Sequence, residues 1–336
     1  MLTFLKFLVF LSIGILLLYF AFKGINFSKL VDNLKTANYF WVLLGLTCGF
    51  VAFFVRAYRW NLLIEPLNYQ PTLMNSYHAL MIGYMANYAF PRIGEITRCG
   101  TLSRIEKIPA DKLIGTVIAE RAFDLFIFLV LLIVAFVIKI NFFGSFFSEH
   151  VFKPFFNKIF ITFNFSLIFW IILILSACVC LIIVYTFRQK IREITLVKKV
   201  GKIGKGVLVG VKSVLAIKRK KEFLVYTVIM WVLYYLMAYL VFFCLPSTSG
   251  LSMIDGLFIL VVGTCGMVAP VQGGIGAFHS IVSLALILYG ISREDGLAYA
   301  VIAHESQSIM AILLGIISFF VLFFRSHKNI VSKKVA

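Results

Sequence analysis

Two short stretches hold most of the residues able to do chemistry in an otherwise apolar chain. NYAFPRIGEITRCG (Asn87–Gly100) leaves an apolar run, breaks at Pro91 and at once presents Arg92, Glu95 and Arg98. Arginine suits a bidentate grip on phosphate, so Arg92 and Arg98 supply two fixed positive charges for an anion. Glu95 would orient one of them, or carry a proton or cation. The alternative is that all three charges sit in water at the membrane interface. VIAERAFDLFIF (Val117–Phe128) then places Glu120, Arg121 and Asp124 inside a long apolar run. Glu120 and Asp124 are four apart and share a helix face, and Arg121, three from Asp124, is spaced to pair with it. A charge at membrane depth costs on the order of 3 kcal/mol, so these groups should face the bundle interior and find partners. An ion pair that only locks two helices together would meet the same requirement.

A second break reads GMVAPVQGGIGAFHS (Gly266–Ser280). Pro270 stops a helix because its ring clashes with the preceding turn and it lacks an N–H. Beyond Gln272, Gly273, Gly274 and Gly276 permit backbone angles closed to other residues. An apolar helix restarts near Ala277, and its free N–H groups favour an anion. Irregular backbone at membrane depth survives only when buried in protein or lining a wet cavity; a plain loop between two spans is the alternative. His279 follows, and AYAVIAHESQSIMAILLG (Ala298–Gly315) adds His304, Glu305 and Gln307 to the last apolar run. The histidines would titrate near neutral pH or serve as hydrogen-bonded packing residues. With the Glu120 cluster, these groups would approach one cavity from two sides.

The elements that must position them are membrane helices. The chain is 62% hydrophobic and 14% charged, with 36 Phe, and runs such as Leu113–Ile138 exceed the roughly 20 residues that cross a bilayer. Ten-residue strands of alternating hydrophobicity are absent, which points to helices rather than a barrel. The formal charge of +18 does not indicate nucleic acid, because the basic residues gather in loops and tails, as in cytoplasmic loops of membrane proteins. The first run, Phe7–Phe22, lacks a small-residue cleavage site and reads as a retained anchor. Six scattered Cys show no zinc or disulfide spacing.

Long apolar runs fall at about 7–22, 40–63, 113–138, 166–187, 224–244 and 297–324. Shorter ones lie at about 77–90, 254–269 and 277–290, a length that suits re-entrant segments. The stretch 188–222 carries twelve Lys or Arg against two Glu and should be cytoplasmic. Its part 196–221 has helical apolar spacing and a basic face, fit to lie on an anionic leaflet or simply to fix topology. Counting outward puts both termini in the cytoplasm. Segment 64–112 then dips in from the cytoplasm and segment 245–296 from outside. The order span, broken dip, span recurs at 40–138 and 224–324 with opposite orientation. This is the trace of an inverted repeat, which places a transport site where the broken segments meet. The expected fold is thus an all-α polytopic membrane protein, one transmembrane domain over 1–336, with about six full spans and two broken or re-entrant segments.

FPRIGEITR followed by AERAFD, and PVQGGIGAFH followed by a polar-dotted last helix, resemble the lysylphosphatidylglycerol synthase transmembrane (flippase-like) family over roughly residues 5–325. The resemblance implies that Arg92, Glu95, Arg98, Glu120, Arg121 and the Gly273–Gly276 loop are functional positions. It also implies movement of a modified lipid between leaflets, beside a soluble aminoacyl-transferase domain that this chain lacks. Two departures leave substrate choice open. The family often has Glu where this chain has His279, and Arg in the last helix where it has His304 and Glu305. The expected function is translocation of an anionic lipid or polyprenyl-phosphate head group in the cell (inner) membrane, by this chain alone or with a separate lipid-modifying enzyme. No cofactor, metal or catalytic residue is implied. The alternative is a membrane transferase acting on a lipid head group, or its non-catalytic membrane partner.

Overall fold

The structure, a computed structural model, describes residues 2–140, 217–269 and 271–335, with side-chain surroundings for those between 12 and 325. The expected span at 166–187, the basic stretch up to residue 216 and Pro270 lie outside them. Among the described residues every regular element is helical. In order they are α1 Leu2–Phe22, α2 Phe27–Thr36, α3 Tyr39–Ile64, α4 Leu73–Ala89, α5 Gly94–Glu106, α6 Ala110–Ile138, α7 Lys220–Leu240, α8 Met253–Val268, α9 Ala277–Ile287 and α10 Arg293–Val335.

Among the described residues four helices are long and apolar enough to cross a bilayer: Tyr39–Leu67, Ala110–Ile138, Lys220–Cys244 and Arg293–Arg325. They match the runs expected at 40–63, 113–138, 224–244 and 297–324. Only 17–39% of their most apolar windows is buried inside the protein, and Leu43, Ile133, Val228, Leu313 and Phe320 stand exposed. A water-facing surface rarely carries apolar area on that scale, whereas lipid accepts it. The chain is therefore a multi-pass membrane protein. The first expected span is more complicated, because α1 turns by 92° into α2. Periodicity did not announce α2, a short amphipathic helix. Asn26 caps its start by accepting from the Lys29 N–H, and Asn33 donates to Asp295 Oδ1 at 2.6 Å, tying it to the foot of α10.

The three shorter runs fold as two helical hairpins. In the first, Thr72 Oγ1 accepts from the Asn75 N–H at the start of α4. Glu106, at the end of α5, accepts from the Thr72 N–H at 2.9 Å and the Asn75 amide at 2.8 Å, closing the hairpin's open end. At the tip, Phe90 is extended (φ −138°, ψ 130°), as the residue before a proline prefers. At this tip it is Arg92, and not a glycine, that adopts the left-handed backbone, at φ 62°. Gly94 is needed for a different reason. A side chain there would meet the Gly83 carbonyl at 2.2 Å, so its absence lets α5 cross α4 backbone to backbone.

In the second hairpin α8 starts with a capping box. Ser252 Oγ accepts from the Asp255 N–H, and Asp255 Oδ2 accepts from the Ser252 N–H at 2.8 Å. The break that follows has the predicted glycine geometry, with φ 56°, 82° and 81° at Gly273, Gly274 and Gly276. The main apolar core joins α1, α2, the start of α3, the end of α7, α8, α9 and α10. A second cluster, around Trp60, Leu102, Ile108 and Leu113, packs α5 and α6 against the end of α3.

Candidate functional site

The deepest charges form a five-membered cluster between α3, α5 and α6. Glu120 is fully buried, and its two oxygens are divided between helices. Oε1 accepts from Arg56 at 2.6 Å, and Oε2 accepts from Arg98 at 2.9 Å. Asp124, one turn along α6, accepts from Arg59 at 2.8 Å and Arg56 at 3.3 Å. Glu120 and Asp124 thus share a face, as their spacing predicts. The expected pairing of Arg121 with Asp124 does not occur. Arg121 points away from that face and donates to Glu95 Oε1 at 2.6 Å, because Arg56 and Arg59 of α3 already hold Asp124. Trp60 completes the shell: the Arg98 guanidinium lies 4.7 Å from its ring centre, and its Nε1 donates to Thr116 Oγ1 at 3.0 Å.

Three guanidiniums here face two carboxylates, leaving one positive charge in excess. Nε of Arg56 and Arg59, and Nε and Nη1 of Arg98, are buried without a hydrogen-bond partner among the described residues. An excess buried cation with free donors is costly unless an anion or water answers it.

Beside the cluster lies a cavity of about 780 Å³. Arg56 reaches into it from the cluster, donating to Tyr234 Oη at 3.1 Å. Arg92, Glu95 and Arg121 line the same wall with Asn87, Tyr84 and Tyr88. Met237 of α7, Ile259, Leu260 and Met267 of α8 and Phe278 of α9 add apolar lining. The two hairpin breaks meet at this cavity. Arg92 Nη2 donates to the Val268 carbonyl at the end of α8, at 3.0 Å. Gly273 abuts the Tyr88 ring so closely that a side chain there would lie 2.4 Å from it. A non-glycine residue held at positive φ is uncommon and concentrates at functional sites; Arg92 is such a residue, at the hairpin tip.

A second polar group lies behind the glycine loop. His279 and His304 are buried, and Glu305 Oε1 sits 3.3 Å from His279 Nε2 and 3.1 Å from His304 Nδ1. His304 Nε2 faces the Gly273 carbonyl at 2.9 Å. The start of α9 was expected to offer free N–H groups to an anion. Instead the Gly276 N–H donates to His279 Nδ1 at 3.3 Å, and α1 covers the turn, with the Gly14 carbonyl 2.6 Å from where a Gly276 side chain would begin.

Of the residues singled out in the sequence, Arg92, Glu95, Arg121, Gly273 and Gly274 line the cavity, as does Gln307. Arg98, Glu120 and Asp124 support it from behind, while His279, His304 and Glu305 hold the loop. Gln272 is buried, and its amide nitrogen has no partner among the described residues. Sequence reasoning missed Arg56 and Arg59. Both stand in VRAYRW, in the middle of an apolar span, and the rule that singled out Glu120 would have found them.

Comparison with known proteins agrees with a membrane protein. Over 339 residues the chain is 21% identical to a UPF0104 membrane protein of Methanothermobacter thermautotrophicus, covering 92% of this chain and 93% of that one. It is 29% identical to a UPF0104 membrane protein of Methanocaldococcus jannaschii over 108 residues, 31% of this chain and 32% of that one. No solved structure matches. The family profile described as the lysylphosphatidylglycerol synthase TM region matches residues 4–315, and the chain belongs to that family.

Proposed function

We propose that this chain translocates an anionic lipid or polyprenyl-phosphate head group across the cell membrane, with both termini cytoplasmic. In this reading α3–α6 and α7–α10 are the halves of an inverted repeat, and the two hairpins enter from opposite leaflets. The analogy is to transporters in which broken helices meet at a midplane site. The observation that carries the proposal is the make-up of the cavity lining. Arg56, Arg92 and Arg121 line it together with many apolar side chains, which suits a charged head group joined to a hydrocarbon tail. Among the described residues Arg92 contacts a carbonyl oxygen rather than a carboxylate, so its charge stays available to a ligand. Glu95 holds Arg121 in place and limits the net charge.

The test uses purified protein in liposomes with fluorescent phosphatidylglycerol and no nucleotide or aminoacyl donor. The labelled lipid should change leaflet faster than in empty liposomes. Replacing both Arg92 and Arg121 by Ala should slow it by at least about a hundredfold, because charge-assisted hydrogen bonds contribute about 1.5–3 kcal/mol each. A new lipid product formed only when a donor is added, with no donor-free movement, would shift the assignment to the transferase class.

A further inference from the structure

We infer that the head group held in this cavity is a phosphate monoester, a terminal phosphate, rather than a phosphate diester; this rests on the translocator reading, which makes the cavity a head-group site. Charge and oxygen count separate the two chemistries. At pH 7 a phosphate monoester carries about −1.5 to −2 charge and three strong acceptor oxygens. A diester has a second ester link, so it keeps a single charge and two terminal oxygens.

The cavity is built for the larger charge. Among the described residues its charged lining is Arg56, Arg92 and Arg121 against Glu95 alone, an excess of two positive charges. Tracing each charge to its partners gives the same excess. Arg121 and Glu95 pair at 2.6 Å and cancel. Arg56 belongs to the cluster of three guanidiniums and two carboxylates, which keeps one positive charge. Arg92 donates to the neutral Val268 carbonyl and keeps the other. Glu305 stands behind the glycine loop, where its Oε1 meets His279 and His304 at 3.3 and 3.1 Å, and it does not line the cavity. A diester would leave one of the two excess charges unanswered away from bulk water, which is costly. A monoester answers both.

The donors and acceptors fit the same ligand. Three guanidiniums line the cavity, one for each terminal oxygen of a monoester. Glu95 Oε2 is buried without a partner among the described residues. It suits the P–OH of a monoester that holds one proton, a group that a diester lacks.

The experiment is a binding competition read by native mass spectrometry, with the purified, delipidated chain in detergent at pH 8. The probes are phosphatidic acid, a monoester, and phosphatidylmethanol, a diester of nearly the same size, with identical acyl chains and at equal concentration. Phosphatidic acid should be bound about tenfold more, the factor that one further charge-assisted hydrogen bond supplies. In Arg92→Gln, which removes one excess charge, the preference should fall toward parity. Equal binding by the unmodified protein, or a preference for phosphatidylmethanol, overturns the inference without need of any variant. A folded Arg92→Gln protein that keeps the full preference overturns the placing of the second charge on Arg92. The translocator reading fails separately: if labelled phosphatidylglycerol and labelled phosphatidic acid both stay in their leaflet in liposomes, that reading is lost and the binding preference stands.

Discussion

Glu120→Gln is expected to destabilise the protein by about 3–5 kcal/mol, the range found when one partner of a buried ion pair is removed. Glutamine keeps the shape of the side chain but not its charge. Arg56, Arg59 and Arg98 would then share Asp124 alone, and the excess of positive charge at the centre of the bundle would rise from one to two. The amide –NH2 would also confront guanidinium donors. In detergent the apparent melting temperature should fall by roughly 5–10 °C. The cause can be isolated by adding Arg98→Met, which restores the original excess of one. The double variant should be more stable than Glu120→Gln alone, a coupling that a double-mutant cycle measures. Simple additivity of the two losses would show that Glu120 acts through packing rather than charge.

Gly94→Ala should be nearly as damaging, although it adds one methyl group. The new carbon would lie 2.2 Å from the Gly83 carbonyl oxygen and 2.6 Å from the Asn87 amide. Backbone cannot rotate out of the way, so α5 must move off α4, at a cost of about 1–3 kcal/mol for overpacking. The larger consequence is functional. Glu95 and Arg98 ride on α5, so the Arg121–Glu95 and Arg98–Glu120 pairs would both be misplaced, and donor-free lipid movement should drop at least tenfold. Gly100→Ala is the control. It lies on the same helix with open space around it, and alanine there should be neutral or stabilising by up to about 1 kcal/mol. Equal behaviour of the two variants would contradict the close crossing.

Much of this could be read from the chain before any coordinates. Hydropathy placed α3, α4, α6, α7, α8 and the membrane-crossing part of α10 to within a few residues, because lipid demands long uninterrupted apolar runs and Pro91 and the glycines interrupt them visibly. The glycine angles at 273, 274 and 276 were legible because that run of residues leaves little else possible. Partner choice was not legible. Arg121 is spaced to meet Asp124 within one helix, but Arg56 and Arg59 arrive from another helix and take that carboxylate first. Sequence spacing sees contacts along a helix and is blind to competition between helices. The same blindness hid the burial of Arg98, which stacks on Trp60 instead of facing the cavity. It also hid α2, whose ten residues carry too little apolar signal to stand out.

The central claim is that an anionic head group sits between the two hairpin breaks, against Arg56, Arg92 and Arg121. Native mass spectrometry of protein extracted gently from its membrane tests this most directly. The unmodified chain should retain an anionic phospholipid or polyprenyl phosphate, and the folded Arg92→Ala/Arg121→Ala variant should lose it. Retention of the same lipids by both proteins, or of zwitterionic lipids alone, would contradict the claim.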